Sequence, residues 1–241
     1  MMKQRLDQEL VQRKLASTRS QAYNLIKLGQ VKVNDQSVDK PAFQTSTTDK
    51  VELTTSQQYV SRAGLKLASV AQKLKLDFRD KVVLDVGSST GGFTDYALQH
   101  GAARIIAVDV GTNQLHPSLR TNPKVELHEQ TDIRDFVRGP TSHIDMVVID
   151  VSFISLRHIL PSVKKLCQPQ TQVIAMVKPQ FEQSSDSQKN RGVIKNDKVR
   201  REILKDFETW VQKLFKVADK ADSAVAGAKG NQERFYMLMP I

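Results

Sequence analysis

From Val82 to the C-terminus, short apolar runs alternate with stretches of helical periodicity. This alternation is the strongest constraint on what the chain can fold into. The strand-like runs fall at 81–86, 104–109, 124–128, 145–150, 171–177, 215–222 and 233–239, with helical patterns between most of them. Parallel strands need a crossover to reach their neighbours, and an amphipathic helix supplies it while covering one face of the sheet. The pattern therefore predicts an α/β fold, an open, largely parallel, doubly wound sheet of seven strands. In such sheets ligands sit beyond the carboxyl ends of the strands, so the residues that follow each apolar run are the candidates for chemistry.

The first of these turns reads "VVLDVGSSTGGFTD", Val82 to Asp95. It lacks the G-x-x-x-x-G-K-[ST] spacing of a phosphate-cradling loop and the G-x-G-x-x-G spacing of a dinucleotide turn. Gly87, Ser88, Gly91, Gly92 and the following Phe93 still offer a small-residue turn for close backbone approach. Asp85 would repel a phosphate but suits an ammonium group. The second run, "IIAVDV", brings Asp109 and Val110 to its end, where an acid can accept the two hydroxyls of a ribose. The third leads to Asp132 in "QTDIRD", beside the position of a purine amine. Each acid alone reads equally well as a turn, strand-end or helix-capping aspartate. In this order they describe a site for a nucleoside that carries an amino group and no phosphate, and S-adenosylmethionine (SAM) meets that description.

Residues 3 to about 53 form a different unit. Leu6, Leu10 and Val11 share a helical stripe, and Thr18 with Gln21 reads as a capping box before Ala22, Leu25 and Ile26. Gly29 stands where a helix C-cap glycine belongs. "VKVN" and "VEL" read as short strands, with Asn34-Asp35 as a turn. The predicted product is a small α+β module of two short helices and a hairpin-like sheet. Arg5, Arg13, Lys14, Arg19, Lys27 and Lys32 lie on or beside its helices, and the chain as a whole carries a net charge of +10. That balance favours a polyanionic partner, and fixed cations on a rigid scaffold suit phosphates. "TTSQQYVSR" at 54–62 is polar; residues 54–61 read as a linker, dividing the chain into 1–53 and 62–241.

Four further residues fall at the ends of elements that face the same rim: Lys66 on the flank of a helix whose stripe is Leu67, Val70, Ala71 and Leu74, then Asp150, Lys178 and Glu233. Charges directly after continuous apolar runs, as at Asp150 and Lys178, belong either to a solvated sheet edge or to a site. Elsewhere the signals are weak. The five histidines are scattered without metal-ligand spacing, the lone Cys167 reads as a small buried hydrophobe, and no metal site is expected. The charged stretch Met1 to Gln12 is unlike a signal peptide, and no apolar run approaches the ~20 residues of a membrane helix. The expectation is a cytoplasmic protein with no membrane contact; its oligomeric state is not legible.

Two resemblances extend this reading. "RLDQELVQRKLASTRSQAYNLIKLGQVKVN", with Lys40-Pro41 and "DKVEL", resembles the RNA-binding module of ribosomal protein S-four. That resemblance implies a structured-RNA role for Arg13, Arg19, Lys27 and Lys32; Asn34-Asp35 departs from the Asn-Gly usual there. The spacing of Lys66, Asp150, Lys178 and Glu233 resembles the tetrad of FtsJ-like ribose 2′-O-methyltransferases. "SRAGLKL", "LDVGSSTGGFTD", "DVSFISL", "MVKPQFE" and "KGNQERF" carry a resemblance of the whole chain to the TlyA (hemolysin A) family of rRNA methyltransferases. The departures are Ala63, where a second glycine is usual, and the polar stretch 183–197. The resemblance implies a Rossmann-like SAM-dependent methyltransferase sheet acting on a ribose of ribosomal RNA, with ribosomal subunits as partners. In it Lys178 is the base, and Lys66, Asp150 and Glu233 are the orienting groups. Methylation of a base nitrogen would favour an Asn-Pro-Pro-Tyr-like turn where this chain has Asp150-Val151-Ser152-Phe153, and carbon methylation would need a cysteine at a strand end. A cytolysin, and an RNA-binding assembly factor without turnover, stand as the readings from other classes.

Overall fold

The computed structural model describes residues 3–16, 18–27, 30–53, 59–137, 139, 143–183, 193–194, 196–227 and 230–241. The Gly29 cap, most of the 54–61 linker and most of the polar stretch 183–197 lie outside the described residues, as does the side chain of Lys27. The chain divides into two compact units, Met1–Arg62 and Ala63–Ile241.

The N-terminal unit opens with strand β1 (Lys3–Arg5), followed by helices α1 (Leu6–Gln12) and α2 (Arg19–Lys27) and strands β2 (Val31–Val33), β3 (Gln36–Ser37), β4 (Gln44–Ser46) and β5 (Val51–Leu53). The expected stripe makes its core: Leu6, Leu10, Ala22, Leu25, Ile26, Val31 and Val33 are buried together. The Gln21 amide donates to Thr18 Oγ1 at 3.2 Å, which satisfies one of the free N–H groups at the start of α2. Asn34 and Asp35 both take positive φ, 51° and 65°, in the two-residue turn between β2 and β3, the handed turn that fits a twisted hairpin. One feature exceeds the expected hairpin: β1 pairs antiparallel with β4 in a separate two-stranded sheet. A three-residue polar segment carries no periodicity, so only its tertiary partner makes it a strand.

The larger unit runs α3 (Arg62–Ala71), β6 (Val82–Val86), α4 (Gly92–Gln99), β7 (Arg104–Val108), α5 (Pro117–Arg120), β8 (Val125–His128), β9 (Met146–Ile149), α6 (Leu160–Leu166), β10 (Gln172–Val177), α7 (Asp197–Val211), β11 (Phe215–Asp222) and β12 (Arg234–Pro240). Short 3-10 turns at Leu156–His158 and Pro179–Phe181 follow β9 and β10. The seven strands are ordered β11-β12-β10-β9-β6-β7-β8. All pairs from β10 to β8 are parallel, while β12 runs antiparallel between β10 and β11. Strands β6, β7, β9 and β10 are almost continuous Val, Ile, Leu, Ala and Met because both faces are covered. Val147, Ile149, Val163, Val173, Leu204, Phe207 and Tyr236 lie in the core under α6 and α7.

The strand order reverses at the centre. The chain moves outward from β6 to β8, then crosses back to place β9 on the other side of β6. The carboxyl ends of β6 and β9 therefore border a crevice, the place where such sheets bind ligands.

Candidate active site

A cavity of about 500 Å³ opens at that crevice. Val86, Val108, Ile133, Ile154 and Ile159 give it an apolar floor, and Gly87, Ser89, Asp109, Gln114, Asp132, Asp150 and Ser152 supply polar groups. Exposed Val110 forms part of its edge.

The glycines of the first turn serve the protein's own packing. Gly87 has φ +79°, and a Cβ there would stand 2.8 Å from the Asp150 carbonyl oxygen. Gly91, at φ +91°, caps α4, and a Cβ on it would strike the side chains of Leu115 and Leu119. The bare backbone thus lets β6 come close to the β9 loop and lets α4 sit over α5; the cavity results from that approach. Ser88 and Phe93 are buried, and Phe93 packs against Phe235 with ring centroids 5.9 Å apart. Neither these two nor Gly91, Gly92 and Asp85 line the cavity, in contrast to the sequence-based grouping.

Asp85 has a divided role. Its Oδ2 accepts from the Thr94 amide at 2.9 Å and the Thr94 hydroxyl at 2.6 Å, holding the first turn of α4. Its Oδ1 is buried without a hydrogen-bond partner. Burial pushes the carboxyl up to about 7, against the two Thr94 bonds, and the charges of Asp150 and Asp109 add to the rise.

Asp109 lies directly after β7, where its amide still donates to the His128 carbonyl. Oδ2 accepts from the Ser89 amide at 2.8 Å and Oδ1 from the Gly111 amide at 2.7 Å. Each oxygen keeps a second lone pair, so the carboxylate is fixed in direction and able to accept further. Asp132 is gripped by Arg134 through Nε at 3.0 Å and a second nitrogen at 2.6 Å, and this guanidinium holds its carboxyl below the usual range.

The four rim residues come together as two ion pairs. Lys178 Nζ lies 2.6 Å from Asp150 Oδ1, and Lys66 Nζ lies 2.6 Å from Glu233 Oε2. Lys66, Lys178 and Glu233 are buried, at 8%, 8% and 2% exposure. Register explains the convergence. Val177↔Arg234 is the end pair of the β10–β12 ladder, so Lys178 and Glu233 are the next residues on adjacent chains. Helix α3 then brings Lys66, on the flank of its buried stripe, to Glu233. A buried ion left alone costs several kcal/mol, so each lysine and its acid require one another.

Three residues that sequence reasoning passed over complete the rim. Ser152 Oγ accepts a hydrogen bond from Lys178 Nζ at 2.7 Å. Glu182 is buried; its Oε1 accepts from the Leu156 amide at 2.7 Å and its Oε2 from the Ser155 hydroxyl at 2.6 Å. This clamps the loop after β9 to the turn after β10, and burial raises the Glu182 carboxyl above its ordinary value. Phe153 is 89% exposed with φ 67°, lines the cavity mouth, and has Phe181 5.4 Å behind it. The signals were in "DVSFISL" and "MVKPQFE", but a serine three residues past a strand and a glutamate four residues past a lysine have no periodicity to announce them. Glu182→Ala removes the acceptor from a buried N–H and from Ser155, and should cost about 1–3 kcal/mol of stability in urea unfolding. An unchanged midpoint would mean the loop is held by other contacts.

The same arrangement of elements has relatives. The model of the FtsJ-like methyltransferase family matches residues 59–239, three quarters of the chain. The chain belongs to the FtsJ-like methyltransferase family. An S4 domain matches residues 4–51. A 16S/23S rRNA (cytidine-2'-O)-methyltransferase TlyA of Mycobacterium tuberculosis is 36% identical over 239 residues, covering 97% of this chain and 89% of that one. A 23S rRNA (cytidine-2'-O)-methyltransferase TlyA of Campylobacter jejuni is 41% identical, covering 75% of this chain and 71% of its own length. The solved structure of a Streptococcus thermophilus protein described as a hemolysin has a TM-score of 0.76 at 35% identity, over 100% of this chain and 89% of that chain. The cavity and the two ion pairs thus lie within the FtsJ-like methyltransferase region, which an N-terminal S4 domain precedes. Among the described residues no helix is long and apolar enough to cross a membrane, and no three His, Cys, Asp or Glu side chains are grouped to hold a metal ion.

Proposed function

We propose that this chain transfers a methyl group from SAM to a ribose 2′-hydroxyl of ribosomal RNA. The observation that carries the reading is the pair of buried lysine–acid ion pairs, one of whose acids, Asp150, lines a cavity whose polar groups suit an amino nucleoside. The residues present fit SAM. Asp109 offers two fixed acceptor oxygens to a ribose, and Val110 and Ile133 offer apolar edges to a purine. Asp85 lies behind the cavity lining, and its orphan Oδ1 is a buried acceptor that an ammonium group would have to reach past that lining. Asp132 accepts from an adenine amine only with lone pairs that Arg134 leaves over.

Bound there, SAM supplies a methyl group activated by its sulfonium charge. A ribose hydroxyl is a poor nucleophile until its proton leaves. Lys178, as the neutral amine, takes that proton at Nζ; Asp150 stabilises the ammonium that forms, and Lys66 pairs with Glu233 at the neighbouring strand end. Positioning of the hydroxyl does most of the remaining work. Phe153 gives a nucleobase lifted from the RNA an aromatic face at the mouth of the cavity. The relatives named as cytidine-2'-O-methyltransferases support the ribose target and an rRNA substrate. The test is to incubate labelled SAM with unmodified ribosomal subunits and map the label. Methyl found on a base, or none transferred, sinks the reading.

The cofactor assignment carries its own pH signature. Pairing with an ammonium requires Asp85 as the carboxylate, and in the free chain its carboxyl keeps the proton up to about 7. Below that value each pH unit downward should weaken SAM binding by about tenfold, and the affinity should level off above it. Calorimetry from pH 5.5 to 8 checks this, with Asp85→Asn expected to flatten the curve. A flat curve in the parent would take Asp85 out of reach of the ligand.

A further inference from the structure

We infer that Ser152 is a positioning residue for Lys178: its hydroxyl fixes the rotation of the lysine amine so that one tetrahedral position of Nζ faces the substrate hydroxyl. The inference rests on the reading of Lys178 as the base.

The two partners of Nζ differ in kind. Asp150 Oδ1 is close, at 2.6 Å, yet it is left without an aligned hydrogen-bond donor. Ser152 Oγ, at 2.7 Å, does receive an aligned bond from Nζ. Charge attraction is not directional, so Asp150 holds the nitrogen in place without setting its rotation about the Cε–Nζ bond. A hydrogen bond is directional, and fixing one of three tetrahedral positions fixes the other two. In the neutral amine one N–H is given to Ser152, the second stays on the side of Asp150 without an aligned bond, and the remaining position is the lone pair that takes the incoming proton. That proton leaves the 2′-oxygen, whose O–H bond breaks as the N–H bond forms. The oxygen takes the methyl carbon, and the electron pair of the breaking C–S bond stays on the donor's sulfur.

Ser152 is itself held in place. The Asp150 amide donates to the Val86 carbonyl at 3.0 Å, anchoring the start of the loop to β6. Glu182 clamps Ser155 and Leu156 at its other end. Between them Phe153 takes φ 67°, a left-handed conformation that is costly for an aromatic residue and persists only where surrounding contacts impose it. The loop therefore presents the serine hydroxyl from a rigid backbone, which is what aiming another group requires.

The test uses the full chain with unmodified ribosomal subunits as substrate and SAM as donor. Ser152→Ala should lower kcat by about ten- to a hundredfold. KM for the subunits, and the calorimetric Kd for SAM, should stay within about twofold. Ser152→Thr keeps the hydroxyl and should recover most of the rate. In a Lys178→Met background, where no amine remains to be aimed, the further change Ser152→Ala should cost less than about twofold. An unchanged kcat in Ser152→Ala overturns the inference, as does an equal loss in the alanine and threonine variants, or a loss confined to KM. If Lys178→Met itself keeps the parent rate, the reading of the base fails, an outcome separate from failure of Ser152 alone.

Discussion

Lys178→Met is expected to bind SAM with an affinity within about twofold of the parent and to lose two or more orders of magnitude in methyl transfer, the range that general-base catalysis contributes. The side chain reaches from the end of β10 to the rim, where its nitrogen meets Asp150 and Ser152. It does not line the cavity assigned to SAM. Methionine keeps the four-atom stem of the side chain and removes the terminal nitrogen, the only part that can accept a proton. Because Asp150 loses its counter-ion, a thermal melt must accompany the rate measurement; a folded variant with normal SAM affinity isolates the chemical step. Retained methyl transfer would make Lys178 a structural strand-end lysine and would move the search for the base to Lys66, the other buried amine of the rim.

The second large effect concerns the N-terminal unit, and the structure changes which residues test it. The sequence groups six basic residues there as an RNA-binding set. Arg13 is committed to the module itself: its Nε donates to Glu9 at 2.6 Å and another nitrogen donates to the Asp49 carbonyl at 2.9 Å. Arg5 forms a two-pronged pair with buried Asp7, whose carboxyl it holds below the usual range. Reversing either charge would test folding. Lys14 and Arg19 are exposed and Lys32 is half-buried, although Arg19 also touches Asp7 at 3.1 Å. Arg19 shares that bond to buried Asp7, so the variant that tests the face is Lys14→Glu with Lys32→Glu, which should keep SAM binding. It should weaken rRNA binding by about ten- to a thousandfold at moderate salt. The slope of log affinity against log salt should fall by roughly one for each phosphate no longer neutralised. Titrations at several salt concentrations decide it. Parent-like affinity and slope would mean that this basic face is not the RNA reader.

Much of the fold was legible because burial imposes a pattern on sequence. A strand covered on both faces must be largely apolar, and the seven strands of the large sheet were visible to within a residue at their ends. Candidate site residues were picked out for a related reason: Asp109, Asp150 and Lys178 directly follow such runs, where a charged side chain leaves the core. Asp85 differs, since it lies inside β6 and is buried against Thr94. Strand β1 was not legible, since three polar residues become a strand only when β4 is beside them.

What the sequence determined by itself was the order of elements and the presence of a basic N-terminal module ahead of a methyltransferase sheet. Each depends on local periodicity or on residue type at a strand end. Only the tertiary structure decided which groups meet. It paired Lys66 with Glu233 and Asp150 with Lys178, set Gly87 against the Asp150 backbone and Gly91 against Leu115 and Leu119, and withdrew Arg5 and Arg13 from the basic face. It also brought Ser152 to the lysine amine and Glu182 beneath the loop. The physical reason is that hydrogen bonds and ion pairs are fixed over a few ångströms between residues far apart in the chain. No local pattern records such a distance; the register of β10 against β12 and the crossover from β8 to β9 set it.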